Sequence, residues 1–117
     1  AATTNDFLAM GSSQSLLDRG VYICAGSSVI APMIFEKLQA MINNLRIRRK
    51  RLPPLRNFLI VINDIQREGG WNREPRKQDA AYYHRFIKTF QRMGGKFVYF
   101  EDDNRKFILN LLAELMK

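Results

Sequence analysis

The chain has 117 residues, enough for one compact domain and too few for a second with its own core. With 46% hydrophobic and 11% aromatic residues it can bury enough apolar surface to fold unaided, which excludes a disordered segment. Nineteen Lys and Arg against eleven Asp and Glu give a formal charge of +8, so RNA, DNA or another polyanion, including an acidic membrane surface, is the expected kind of partner. Cys24 is the only cysteine and His84 the only histidine, so no internal disulfide is possible and no zinc site of the usual ligand set is expected. A reducing, intracellular setting, cytoplasmic or nuclear, fits that usage. No apolar run approaches the roughly 20 residues a transmembrane helix needs. The start, AATTNDFLAM, lacks the charged and apolar regions of a signal peptide, and it lacks an initiator Met. Residues 1–117 therefore read as one domain cut from a longer protein.

In chain order, "DFLAM" (6–10) reads as a short strand closed by "GSS", and "SQSLLDRG" as a short helix stopped at Gly20. "VYICAG" (21–26), β-branched, aromatic and bounded by glycines, reads as a buried strand. Ile34, Leu38, Met41 and Leu45 recur at helical spacing, with Pro32 in the first turn, so a helix is expected there with these residues on its buried face. "LPPL" stops it, since each proline removes a donor and restricts the residue before it. "NFLIVI" (57–62) is apolar on both faces and is expected at the centre of a parallel sheet. A long polar loop, "NDIQREGGWNREPRKQD", leads to a helix with Tyr83, Phe86, Ile87 and Phe90 inward, stopped at "MGG". "KFVYF" (96–100) is a strand, and "EDDN" caps a final helix with Ile108, Leu111, Leu112 and Leu115 inward. The alternation predicts an α/β fold: a single three-layer domain with a mainly parallel four-stranded sheet and helices on both faces.

In such sheets ligands sit beyond the carboxyl ends of the strands, where loops and helix N-termini converge. Three segments are expected at that edge: "GSSQS", "AGSS" and "NDIQREGGW". Each alone is explained by turn and cap chemistry. Taken in order, Gly11-Ser12-Ser13, then Gly26, then Asn63-Asp64 resemble the first three blocks of the SGNH hydrolase-like fold. The resemblance implies Ser13 at the nucleophile position, with the Gly26 backbone and the Asn63 side chain as oxyanion donors. Ser12 stands where that family has Asp, and Val61 where its third block has Gly. The family's Asp-x-x-His pair before the last helix is absent, because this chain has "EDDNRKF" there. A serine without a base is weakly nucleophilic at neutral pH, so no catalytic residues are expected. If the chain is an enzyme it is a serine esterase using Ser13, Gly26, Asn63 and a rearranged His84. Asp64, Glu101, Asp102 and Asp103 offer a separate nuclease-like Mg²⁺ set, although negative charge at a helix N-terminus already accounts for "EDDN".

The strongest charge feature is "RIRRKR": Arg46, Arg48, Arg49, Lys50 and Arg51, followed by Arg56. Five positive charges in six residues exceed what a helix macrodipole calls for and suit a phosphate-binding patch. Arg73, Arg76, Lys77 and Arg85 form a second group, interleaved with Trp71, Tyr82 and Tyr83, which suits single-stranded RNA. Non-catalytic SGNH-like domains that bind RNA through basic surface residues are similar in kind. The sequence thus reads as such a module, with no cofactor or metal. A serine hydrolase and a protein-interaction module recruiting an acidic partner stand as alternatives.

Overall fold

The computed structural model describes residues 2–27, 29–66 and 76–117, with residues 80, 81 and 87 by backbone alone. Its elements are α1 (Ala2–Ser15), β1 (Val21–Ala25), α2 (Ile30–Arg49), β2 (Leu59–Asp64), a 3-10 turn (Ala80–Tyr83), α3 (Arg85–Arg92), β3 (Lys96–Glu101) and α4 (Asn104–Leu115). The segment expected as a first strand is helical. A run of four apolar residues, Phe7 to Met10, carries no period of its own, and the inward positions of α1 are Phe7, Met10, Gly11 and Gln14, at helical spacing. Two of those four are glycine and glutamine, so the helical stripe is nearly invisible to a hydrophobicity count. Gln14 is buried because it has work for its amide: Nε2 donates to Phe35 O (3.1 Å) and to Gln39 Oε1 (2.9 Å). Gln39 in turn donates to Leu55 O (3.0 Å), tying α1, α2 and the link to β2 together.

Among the described residues the sheet has three parallel strands, not the expected four, in the order β1-β2-β3. Rows run Val21–Leu59–Lys96 through Ala25–Asn63–Phe100, with Asp64 opposite Glu101 at the end. β2 is central, as its apolar character on both faces predicts, and it extends two residues further than the apolar run, through Asn63 and Asp64. Consecutive parallel strands joined by crossovers of one hand place both connecting helices on the same face. α2 and α3 accordingly pack against each other. They bury the row Tyr22–Ile60–Phe97 and the row Cys24–Ile62–Tyr99. Phe35 of α2 is the centre of this core, with its ring 4.6 Å from Tyr22, 5.4 Å from Phe90 and 5.8 Å from Phe58. Phe86 of α3 stacks on Tyr99 at 5.6 Å.

On the opposite face the expected helical cover is partial among the described residues. Val21, Ile23, Val98 and Phe100 remain exposed there. α4 reaches the sheet mainly at the end of β2 and through Phe107, 6.1 Å from Phe100. Its residues Ile108, Leu112 and Leu115, expected inward, are exposed, and Leu111 is half-buried. Tyr83 is likewise exposed, whereas Phe86 and Phe90 are fully buried as expected. The buried stripe of α2 is Phe35, Leu38, Gln39 and Ile42, one residue out of step with the expected Ile34–Leu38–Met41–Leu45. The large aromatic at position 35 decides the rotation, and Met41 and Leu45 are left half-exposed. The radius of gyration is 15.2 Å, against about 13 Å for a compact chain of this length.

This core geometry sets the first expectation. Phe35→Ala is expected to lower unfolding stability by about 3–5 kcal/mol, whereas Met41→Ala lowers it by less than about 1.5 kcal/mol. Urea-denaturation midpoints of the two variants check the rotation of α2 directly.

Candidate functional site

At the C-terminal edge of the sheet, Gly26 closes β1 with φ +72°, a left-handed conformation that glycine adopts without steric penalty. Its N–H donates to Asn63 O (2.9 Å). A Cβ at Gly26 would run into the amide of Asn104. Asn63 is completely buried. Its Nδ2 donates to Asp102 O (3.1 Å) and to Asn104 Oδ1 (2.7 Å), while its Oδ1 has no hydrogen-bond partner. Both amide protons of Asn63 are therefore committed to holding the start of α4 against β2.

Asp64 turns its Oδ1 to Ile65 N (2.7 Å), and Asp102 turns its Oδ1 to Asp103 N (2.8 Å). Asp103 is the N-cap of α4 and accepts from Arg105 N (2.9 Å). The Arg105 side chain beside it, together with these backbone bonds, holds its carboxyl below the usual carboxylate range. The carboxylates at this edge serve as turn and cap acceptors. Among the described residues no group of three or more His, Cys, Asp or Glu is gathered for a metal ion.

Ser13 is not in a loop beyond a strand. It lies in the last turn of α1, and its Oγ donates to Ala9 O (3.0 Å). His84 stands just before α3, its ring 5.8 Å from Phe86. No hydrogen bond joins Ser13, Asn63 and His84, and only Gly26 and Asn63 of the four hydrolase-type positions adjoin one another. Cys24 is buried behind this edge and its S–H donates to Ser27 O (3.3 Å). Burial first, and the nearby Asp64 charge last, push its thiol up to about 11.

The N-terminal edge is built differently. Helices that return from strand ends bring their C-termini here, and the strands begin here. The last turn of α2 supplies Arg46, Arg48 and Arg49, followed by Lys50 and Arg51. The link to β2 supplies Arg56, the last turn of α3 supplies Arg92, and β3 opens with Lys96. Arg19 enters from the turn before β1, whose backbone is tied to the β2 link by Arg19 N–H to Asn57 O. Arg19, Arg56 and Lys96, from three separate segments, line one open cavity of about 570 Å³ with Gly20 and Gly94. Asp18 is the one acid in these segments, and its contact with Arg19 is long (3.9 Å) and exposed, so it offsets little of the charge. The carboxylates of Asp64, Glu101, Asp102 and Asp103 lie at the other edge, where Arg105 and Lys106 of the first turn of α4 stand beside them.

Arg19, Arg92 and Lys96 are absent from any sequence motif. Each is a single basic residue in its stretch of sequence, beside a helix end or a strand start, and the convergence of those ends joins them to the Arg46–Arg51 run. Arg76 and Lys77 precede α3 and so belong to the opposite edge. Arg73, with Trp71, lies outside the described residues. Among the described residues no helix is long and apolar enough to cross a membrane. Comparison with known family models, curated proteins and solved structures finds no match.

Two outcomes follow from the C-terminal edge. Gly26→Ala is expected to lose about 1–3 kcal/mol of stability, and less in an Asn104→Ala background where the clash is gone, which a double-mutant cycle of denaturation midpoints reads out. Cys24 is raised from an ordinary 9.0 to about 11, so the folded state keeps its proton where the unfolded chain loses it. Its contribution is full below pH 9 and is lost as pH rises toward 11. Stability followed by denaturant midpoints should fall across that window, and less so in Cys24→Ala.

Proposed function

We propose that this chain is a non-catalytic, SGNH-like α/β module that binds RNA, or nucleic acid more generally, on the N-terminal edge of its sheet. The observation that carries this reading is the convergence of Arg19, Arg56 and Lys96 on one cavity beside the α2 end with its five cations. A surface with that many like charges, of which the exposed Asp18 carboxylate 3.9 Å from Arg19 offsets little, attracts a polyanion. Phosphate contacts of this kind release counterions and give binding that falls steeply with added salt. The SGNH-like part of the proposal rests on Gly26 and Asn63, which adjoin at the ends of neighbouring parallel strands. Ser13, committed to a helical carbonyl, supports no nucleophilic role.

Fluorescence anisotropy with a single-stranded RNA of about 20 nucleotides, titrated between 50 and 300 mM salt, tests the reading. The expected result is a logarithmic salt slope that falls by about one for each of Arg19→Gln, Arg56→Gln and Lys96→Gln. Arg76→Gln and Lys77→Gln, at the opposite edge, should leave the slope unchanged. An affinity indifferent to ionic strength, or one reduced equally by changes at both edges, would remove the proposal.

A further inference from the structure

α2, with 20 residues, is longer than the five- and six-residue strands it covers, and α1 packs against it. Gln14 bonds to Phe35 and Gln39, and Gly11 abuts Leu38 so closely that a Cβ there would stand 3.3 Å from the Leu38 side chain. From that crossing α1 runs back along α2 toward its basic end, and the two helices leave a trough of about 320 Å³ between them. Its floor is Phe7, Gly11, Leu38 and Ile42. Its rims are Leu8, Met41 and Leu45, which are 60%, 49% and 47% exposed. None of the lining residues is acidic, and the charged ones, Arg46 and Lys50, both lie at one end. Arg46 donates its Nε–H to Pro53 O (2.9 Å), which leaves its terminal nitrogens for an anion.

We propose that this trough binds a single-chain anionic amphiphile, an alkyl carboxylate whose head pairs with Arg46 and Lys50 and whose tail lies along the apolar floor. The dimensions select the ligand. Leu38 to Lys50 spans about 18 Å of helix, the length of an extended chain of a dozen or so carbons. The volume corresponds to about ten methylenes, each taking close to the 30 Å³ of a liquid water molecule. The two exposed rim residues on α2, Met41 and Leu45, are one turn apart, and the unbranched methionine can shift to close over a flexible tail. Charge complementarity settles the head: a neutral or cationic group would leave Arg46 and Lys50 unpaired at the trough mouth.

Isothermal titration calorimetry of the full chain with hexanoate, octanoate and decanoate, each below its micelle concentration, tests the proposal in buffer free of nucleic acid. That condition makes the result independent of the polyanion reading. Affinity is expected to rise about two- to fourfold per added methylene, and decanol should bind at least about fivefold more weakly than decanoate. Arg46→Gln and Lys50→Gln should weaken decanoate and leave decanol unchanged. Leu8→Gln and Leu45→Gln, at half-exposed rim positions that keep the core intact, should flatten the chain-length dependence with an unchanged thermal midpoint. Equal binding of decanol and decanoate, or no chain-length dependence, would overturn it. So would binding to anionic phosphatidylglycerol vesicles without binding to monomeric decanoate, which would assign the surface to membranes, and capture of an acidic amphipathic peptide alone, which would assign it to a protein partner.

Discussion

Three strands paired in parallel and in sequential order leave the connecting helices little choice. Each crossover must carry the chain from the end of one strand back to the start of the next, and one hand of crossover puts α2 and α3 on one face. The aromatic cluster around Phe35 is the energetic expression of that constraint, since it is where α2, α3 and the sheet meet. The distribution of charge is its electrical expression. Helix C-termini favour cations and helix N-termini favour anions, and here the two kinds of terminus are sorted onto opposite edges of one sheet. A basic run that one helix end would tolerate is thereby joined by Arg19, Arg56, Arg92 and Lys96 from other segments.

The same topology separates the positions that would have to meet for hydrolysis. Ligand sites in open sheets arise where the strand order reverses, and the order β1-β2-β3 has no reversal. The Gly26–Asn63 neighbourhood is structurally committed instead: the Gly26 N–H holds Asn63 O, and the Asn63 amide holds the start of α4. Its one spare atom, Asn63 Oδ1, is a buried acceptor. It cannot stabilise a developing oxyanion, which needs donors.

The face of the sheet away from α2 and α3 exposes Ile23, Val98 and Phe100, and α4 exposes Ile108, Leu112 and Leu115. Their sequence pattern is that of buried surface, which is why the inward face of α4 was legible as apolar and yet is not inward. A hydrophobic stripe reports that a face suits burial, and what it is buried against is a property of neighbours.

Local features of this protein follow from local rules. "NFLIVI" is a central strand because both faces are apolar, Asp103 caps α4 because its side chain reaches the Arg105 N–H, and α2 ends at Arg49, just ahead of "LPPL", whose prolines cannot continue a helix. The helix α1 escaped those rules, since its inward residues include Gly11 and Gln14, whose burial depends on a partner amide 25 residues away. The rotation of α2, the isolation of Ser13 in a helical turn, and the gathering of Arg19, Arg56 and Lys96 were decided by the tertiary structure alone. The physical reason is the same in each case: sequence patterns specify the chemistry of a face or an end, while packing across long sequence separations decides which faces and ends meet.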